Sequence, residues 1–406
     1  MKQIASSFTL PNGSILTNRI AKSAMSENFG TANHAPSAGL INAYRVWAKG
    51  NPGLLITGNV MVDSKALGEA RNVVVEDYKH FDLLKKWAQS VEGTNVHLWP
   101  QINHPGRQAF ALINKQVVAP SAVPLKMGGA SKLFTTAKAL TEEAIWDIIK
   151  RFGNTARIMK EAGFTGCQIH AAHGYLVSQF LSPNSNLRKD QWGGSLENRA
   201  RFVLEIYREI RRQVGSDYPI GIKINSADFQ RGGFTEKESM EVIQLLGNEG
   251  IDLIEISGGT YEKPAMIVGN KKKSTREREA YFLDYVEKAR KLTNTPLMLT
   301  GGFRSVDFME NALSDKKLDI VGLARPFCLY PDLPNQIFDG SIDRFEAPIP
   351  RIGISMLDKL GGVELPWYEL QIHRLGYGKK PKKNLPGILA FWFSIKSLIV
   401  KSFWKN

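Results

Sequence analysis

The chain has 406 residues, of which 43% are hydrophobic and 23% charged, as in an ordinary soluble globular protein. Its two cysteines, Cys167 and Cys328, are too few for a disulfide framework or a structural zinc site, and no CxxC pair exists for an iron–sulfur cluster. The N-terminus lacks the apolar region of a secretory signal, and no stretch reaches the roughly 18 apolar residues that span a bilayer. We therefore expect a cytoplasmic protein.

The net charge of +14 raises the question of nucleic acid or an anionic membrane as a partner. From Arg351 to the end, ten Lys or Arg residues stand against three Asp or Glu residues, a net +7. Half of the excess charge therefore belongs to the C-terminal tail, and we expect no nucleic-acid partner.

Eight short apolar runs recur along the chain. They are Asn18–Met25, Leu54–Val62, Asn95–Ile102, Gly166–Ala172, Pro219–Asn225, Leu253–Gly259, Pro296–Gly302 and Ile320–Arg325. Runs this short and this apolar predict strands that are buried on both faces, as in a parallel sheet.

Amphipathic stretches of helical length separate these runs. Thr141–Ala162 begins with acids in its first turn, Thr235 and Glu238 have the spacing of a capping box, and Arg199–Val214 is another such stretch. Eight βα units predict an α/β fold of the (β/α)8 TIM-barrel type, whose active site lies at the carboxyl ends of the strands. A doubly wound sheet is the alternative, but no GxGxxG follows the first run.

The fourth run ends in two histidines, His170 and His173, with Tyr175 two residues further on. Two imidazoles can hydrogen-bond one carbonyl or nitro oxygen and polarise a conjugated double bond, while a phenol can supply a proton. Two other interpretations remain open: a structural pair at the strand end, or a metal pair. The metal pair lacks a carboxylate or thiolate at a matching position.

The segment Ile169 to Phe202, with the pattern HAAHGYL…QFLSPxxNxRxDxxGGSxENRxRF, resembles the old yellow enzyme family. Within that family it is most similar to the branch containing the barrel domain of 2,4-dienoyl-CoA reductases. The resemblance extends over nearly all of residues 1–345. It implies FMN as cofactor, NAD(P)H as reductant, and an oxidoreductase that passes a hydride through flavin N5 to an activated alkene, an α,β-unsaturated carbonyl compound or a nitroalkene.

The resemblance also implies roles for individual positions. His170 and His173 would bind the activating oxygen of the substrate, and Tyr175 would protonate the α carbon. Gln101 would hydrogen-bond the pyrimidine edge of the flavin. Lys223 would stabilise the anionic reduced flavin near N1 and the C2 carbonyl, where many relatives carry Arg.

Four further matched positions are expected to surround the ring. Ala24, Met25 and Ser26 would lie under it, with Ser26 donating to the C4 carbonyl where relatives often place Thr or Cys. Gly58 would let the ring approach the backbone.

The phosphate of the cofactor is expected at the last two strand ends, which commonly bind phosphate in barrels. Gly301 and Gly302 offer backbone N–H groups there, and Ala324 and Arg325 add donors and a guanidinium.

Other charged residues of the matched pattern have structural explanations. We expect Arg188, Asp190, Asn198 and Arg199 to brace the loop after the fourth strand. Cys167 and Cys328 are expected to be core thiols. His104 and Arg107 lie in a matched loop near the site, where contact with substrate or flavin is an open expectation.

Residues 346–406 form an extension beyond the barrel domain, which we assign to residues 1–345. A helix over WYELQIHRLGYG, a basic linker and a basic, aromatic segment from Gly387 to Trp404 are expected there. That last segment predicts either an interfacial membrane helix or a helix that packs on this chain or on a partner subunit.

Two rival functions remain open at this stage. A tRNA dihydrouridine synthase would suit the basic charge, but such a barrel is expected to use a cysteine as proton donor. A flavin-binding scaffold without turnover is the second. The sequence leaves open the substrate, the choice between NADH and NADPH, and homo-oligomerisation.

Overall fold

The computed structural model describes residues 2–260, 262, 282–352 and 363–403. Eight parallel strands form its central sheet: β1 Ile20–Lys22, β2 Leu54–Met61, β3 His97–Asn103, β4 Cys167–Ala171, β5 Ile220–Asn225, β6 Leu253–Ser257, β7 Leu297–Thr300 and β8 Ile320–Leu323. Each pairs with the next in chain order, and β8 pairs with β1, so the sheet closes into a barrel. The expected (β/α)8 fold is confirmed.

Helices follow the strands around the outside of the barrel. They are α1 Ala38–Lys49, α2 Phe81–Ala88, α3 Glu142–Glu161, α4 Leu176–Leu181, α5 Leu196–Val214, α6 Glu236–Asn248, α7 Leu283–Arg290, α8 Val306–Ser314, α9 Arg325–Leu329 and α10 Leu333–Phe338, followed by α11 Glu364–Gly376 and α12 Gly387–Phe403. Shorter elements are the two-residue strands Phe8–Thr9, Ile15–Leu16, Val73–Val74, Val118–Ala119 and Lys138–Ala139, and the 3-10 turns Gln3–Ala5, Gln89–Val91 and Gly128–Leu133.

Local sequence signals decide where these helices begin. The Thr141 hydroxyl accepts the Ala144 N–H at the start of α3, and Thr235 and Glu238 form the expected capping box. Helix α5 begins at Leu196, earlier than the expected Arg199, because the Ser195 side chain caps it.

The barrel interior is apolar at one end and polar at the other. At the amino ends of the strands, Leu54, Trp99 and Leu253 pack with Leu10 and Leu16 of the N-terminal hairpin. Toward the carboxyl ends the buried side chains include Gln101, Gln168, Lys223, Glu255 and Asn225. Buried polar groups require hydrogen-bond partners, so this asymmetry marks the carboxyl end as the place for a site.

The C-terminal extension packs on the barrel through α11. The ring of His373 stacks on Phe29 with centroids 3.7 Å apart, and the Asn42 amide donates to the Gly376 carbonyl at 2.9 Å. Helix α12 packs on α11, where Phe393 meets the His373 ring at 4.8 Å. Among the described residues, no helix is long and apolar enough to cross a membrane.

Candidate active site

The two histidines lie where β4 ends and the chain turns sharply. His173 has φ +63° and Gly174 has φ +80°, both in the left-handed region. At this φ a side chain at position 174 would be strained, and its Cβ would lie 2.5 Å from Gln108 Oε1, so glycine is favoured there. This turn brings the rings of His170 and His173 to 5.0 Å and those of His170 and Tyr175 to 4.8 Å, each in an edge-to-face arrangement.

The last residues of β5 and β6, together with Gln108 after β3, hold His173 in place. Its backbone N–H donates to Asn225 Oδ1 at 3.0 Å, and its Nε2 lies 2.8 Å from Ser257 Oγ. The Gln108 amide donates to the His173 carbonyl at 2.8 Å. Asn225 and Ser257 were missed by sequence reasoning, although a polar residue at the carboxyl end of a barrel strand is a signal for a site residue.

Both histidines are neutral at ordinary pH. Burial lowers the pKa of His170 well below its usual value, and the nearby His173 and Lys223 add to the effect. Burial and then Lys223 do the same to the pKa of His173. The Nδ1 atom of His170 accepts the Ala172 N–H at 3.2 Å, so the proton of the neutral ring is on Nε2 and available to donate.

Lys223 lies beside His170 in register and belongs to a buried polar network. Its Nζ is 3.0 Å from Glu255 Oε1. The other Glu255 oxygen accepts from the Gln168 amide at 2.7 Å, and Gln168 Oε1 accepts from the Gln101 amide at 2.7 Å. Thus Gln101 and Lys223 are joined across β3, β4, β5 and β6.

Gln168 and Glu255 were missed by sequence reasoning. Glu255 had a signal, because a single acid inside the apolar run LIEIS predicts a buried charge that needs a partner. Thr300 Oγ1 also donates to Glu255 Oε1 at 2.6 Å and lies 2.6 Å from Ser23 Oγ, which extends the network to β7 and the end of β1.

Ser26 and Gly58 meet acidic side chains. The Ser26 hydroxyl donates to Glu69 Oε2, and the Gly58 N–H donates to Glu27 Oε1 at 2.9 Å. A Cβ at Gly58 would lie 2.6 Å from both Glu27 Oε2 and the Met25 carbonyl oxygen. Close packing against Glu27 and Met25 therefore favours glycine at position 58, independently of any approach by the flavin ring. Ala24 and Met25 lie beside Ser26 and, like it, are partly exposed.

The loops after β7 and β8 carry the expected phosphate donors. Gly301 and Gly302 have φ of +118° and +95°. Ala324 precedes α9, and the guanidinium of Arg325, the first residue of that helix, pairs with Glu364 of α11. All four residues are partly exposed. No signal near Arg325 in the sequence indicates this carboxylate, because Glu364 belongs to the C-terminal extension.

His104 and Arg107 follow β3 and are held by their own neighbours. Burial lowers the pKa of His104 to about 4, and its Nδ1 accepts the Gly106 N–H at 3.1 Å. Arg107 pairs with Glu262 at 2.8 Å and also donates to the Val123 carbonyl at 3.3 Å. These contacts anchor the loop; the expectation of contact with substrate or flavin stays open.

The loop after β4 is braced by charged side chains. Arg188 pairs with Asp190 and donates to the carbonyl of Pro120 at 3.1 Å. The Asn198 amide donates to the Gly193 carbonyl at 3.1 Å, and Arg199 pairs with Glu238.

Neither cysteine is placed to act as a proton donor. Cys167 and Cys328 are free and buried, and burial raises the pKa of both thiols, to about 12 for Cys328. Within the described ranges, no group of three or more His, Cys, Asp or Glu side chains could hold a metal ion.

The chain matches the family model of the NADH:flavin oxidoreductase / NADH oxidase family over residues 8–343. It is 37% identical over 386 residues to the NADH-dependent flavin oxidoreductase iccE of Talaromyces variabilis, covering 90% of this chain and 92% of that protein.

Solved structures agree on the fold. A 2-naphthoyl-CoA reductase complex matches with a TM-score of 0.78 at 28% identity, over 83% of this chain and 52% of that one. Morphinone reductase matches with a TM-score of 0.70 at 24% identity, over 86% of this chain and 92% of that one.

The residues present fit FMN. Glycine N–H groups and Arg325 could bind a phosphate, and Lys223 would supply a buried cation for an anionic ring. Several buried polar atoms near the strand ends have no hydrogen-bond partner among the described residues: Asn59 Oδ1, both amide atoms of Asn103, and Ser226 Oγ. Such atoms are expected where a polar ligand completes a site.

The family match covers most of the chain, and the relative is 37% identical over nearly the full length of both proteins. The fold and the available donors agree with that match. The chain belongs to the NADH:flavin oxidoreductase / NADH oxidase family, of the old yellow enzyme type, and is an NAD(P)H-dependent flavin oxidoreductase whose cofactor is FMN.

Proposed function

We propose that this enzyme reduces an activated alkene, an α,β-unsaturated carbonyl compound or a nitroalkene. The observation that carries the proposal is the cluster of two neutral imidazoles and a phenol at the end of β4, with ring centroids 4.8 and 5.0 Å apart. When bound, FMN supplies hydride transfer from NAD(P)H to the β carbon.

The histidines polarise the substrate. His170 carries its proton on Nε2, because Nδ1 accepts the Ala172 N–H. His173 completes the pair if Ser257 donates to its Nε2, which leaves Nδ1–H as the donor. Two neutral donors stabilise the negative charge that develops on the substrate oxygen. Because both rings are neutral, neither places a second positive charge next to the buried Lys223.

Tyr175 supplies the proton to the α carbon. Its ring lies against His170 and it is buried, so its phenol stays beside the oxygen-binding pair and away from bulk water. A positioned acid of this kind contributes roughly 10²- to 10⁴-fold to a rate.

The test separates the two half-reactions by rapid-mixing absorbance. We expect Tyr175→Phe to reduce alkene reduction by roughly 10²-fold or more while flavin reduction by NAD(P)H stays near wild type. Tyr207→Phe is the matched control, because its hydroxyl donates to the Glu249 carbonyl at 3.0 Å on the outside of the barrel. Equal loss of both half-reactions in Tyr175→Phe would refute the role.

The substrate remains a small electrophilic alkene whose identity depends on the loops. A panel of enones, enoyl thioesters and nitroalkenes tests the class. Flavin that is reduced by NAD(P)H but transfers nothing to any of them would contradict alkene reduction and leave the family assignment standing.

We also propose that α12 attaches the enzyme to an anionic membrane surface. Gly387 and Ala390 of this helix are buried, whereas Leu389 is 46% and Trp392 61% exposed. One face therefore packs on α11 and leaves an apolar face outward. The preceding basic linker contributes four exposed lysines: Lys379, Lys380, Lys382 and Lys383.

Exposed aromatic residues next to basic ones are typical of interfacial helices. We expect co-sedimentation with vesicles containing anionic lipid and not with neutral vesicles, and its loss in Leu389→Ser/Trp392→Ser. The control is Leu133→Ser, another exposed leucine, outside the tail. Equal sedimentation of the double variant and the wild type would sink the proposal.

A further inference from the structure

Two carboxyl groups from distant parts of the chain meet beside Ser26. Glu69 lies in the segment after β2, and Glu369 lies on α11 of the C-terminal extension. The two carboxyl groups lie within hydrogen-bonding reach of each other, and both are within reach of the Ser26 hydroxyl, which donates to Glu69. The extension thus reaches one of the positions expected beside the flavin.

The pair is enclosed by groups that hold it in place. The Asn72 amide donates to Glu69 Oε2 at 3.2 Å, and the Glu69 N–H donates to Asn72 Oδ1 at 2.7 Å. Asn28 hydrogen-bonds Glu369, which is only 4% exposed. Two such acids cannot both be charged at close range without a large energetic cost.

The charged groups around Glu69 and Glu369 do little to offset the cost of ionising both carboxyl groups. Glu27 is a further acid near Glu69, and the buried Lys22 faces Glu27. Arg71 lies nearby on the segment after β2 and His373 on α11, where burial lowers the pKa of His373 to about 4, leaving it neutral. Among the ion pairs of the described residues, none includes Glu69 or Glu369. Burial, and then the charge of Glu69, raise the pKa of Glu369 well above its usual value.

We propose that Glu69 and Glu369 share one proton and hold the Ser26 hydroxyl as a donor, so that this pair tunes the reduction potential of the bound FMN. A serine hydroxyl has one proton, and a Ser26 that donates it to Glu69 cannot donate it to the flavin as well. Glu369 is then a positioning residue that acts through Ser26. The inference rests on the placement of Ser26 beside the flavin in the proposed site.

The sign of the effect follows from charge. With one shared proton the pair carries a single negative charge, and loss of that proton as the pH rises adds a second. A further negative charge near an anionic reduced flavin disfavours reduction. We therefore expect the potential of wild-type FMN to fall more steeply with rising pH than that of Glu369→Gln, in which only one carboxyl can ionise.

The test is the potential of the protein-bound FMN, measured against a reference dye from about pH 6 to about pH 9. Glu369→Gln keeps the size and the hydrogen-bonding capacity of the side chain, and Glu241→Gln, an exposed residue of α6, is the matched control. The potential of Glu369→Gln should exceed that of the wild type by an amount that grows with pH. Coincidence of the two curves would overturn the proposal.

A double-mutant cycle tests the route through Ser26. In a Ser26→Ala background, Glu369→Gln should shift the potential less, because the direct effect of charge remains and only the part carried by the orientation of the Ser26 hydroxyl is lost. A shift of undiminished size would overturn the positioning role. Since the potential does not depend on alkene turnover, alkene reduction without the pH effect sinks only this inference, and the converse sinks only the proposed substrate class.

Discussion

The two sides of the candidate active site are built from opposite kinds of ionisable group. The histidine side, formed by His170, His173, Tyr175 and Lys223 at the ends of β4 and β5, has a lysine balanced by Glu255 and two imidazoles that burial keeps neutral. The extension side, formed by Ser26, Glu69 and Glu369, has carboxyl groups with no ion-pair partner among the described residues.

The two sides also differ in the structural elements that build them. The histidine side comes from consecutive strands, so its geometry is fixed by β-sheet register. The extension side depends on a helix that docks from outside the barrel. In the proposed mechanism, chemistry on the substrate belongs to the rigid sheet, and adjustment of the cofactor belongs to a helix outside the barrel.

The largest expected effect is on stability, from removing Lys223. Lys223→Met leaves Glu255 buried without its cation, which should lower the free energy of unfolding by about 3–5 kcal/mol. Denaturant unfolding measures it, and Lys317→Met, which breaks an exposed pair with Glu287, should cost below about 1 kcal/mol. A Lys223→Met/Glu255→Gln double variant should recover part of the loss; if it recovers none, the pair is not the cause.

The second effect is on the reaction. His170→Asn should reduce the rate of alkene reduction by roughly 10²- to 10³-fold, because one donor to the developing oxyanion is removed or displaced. Flavin reduction by NAD(P)H should change little, which single-turnover kinetics can show. His80→Asn, at the start of α2, is the control. An alkene-reduction rate within a few-fold of wild type would exclude His170 as an oxygen ligand.

The third effect is on the pH dependence of stability, which should differ between the two sides. The pKa of His170 is lowered in the fold, so the stability it contributes is present above its usual value of about 6.5 and is lost as pH falls below it. The pKa of Glu369 is raised, so its contribution is present below about 4.5 and is lost as pH rises. His170→Asn should flatten the acidic limb of a Tm-against-pH curve and Glu369→Gln the alkaline limb. The same limb flattened by both variants would contradict the comparison.

The smallest effect concerns the phosphate end of the site. Glu364→Gln removes a carboxylate that competes with phosphate for Arg325, so the FMN dissociation constant should fall by up to about fivefold. Fluorescence of released FMN measures it. Glu310→Gln on α8, whose carboxyl accepts N–H groups of the N-terminal segment, is the control. Weaker binding in Glu364→Gln would show that Glu364 orients Arg325 for the phosphate.

The sequence was sufficient wherever the determining signal is local. Apolar runs defined eight strands, and the capping residues Thr141 and Thr235 defined helix starts, because period and cap chemistry depend on neighbours in the chain. The family pattern around His170, His173 and Tyr175 indicated a site that the structure brings into one cluster.

Only the tertiary structure decided what these residues touch. The bond from Ser26 to Glu69 joins residues 43 positions apart, and Glu369 reaches both from the far end of the chain. Arg325 likewise meets Glu364 because α11 folds back on the barrel. No periodicity encodes such contacts, since burial and long-range packing create them. Periodicity and cap chemistry therefore determined the barrel, and the family resemblance indicated the cofactor class and the histidine pair, whereas the fold decided which carboxyl groups lie around the site.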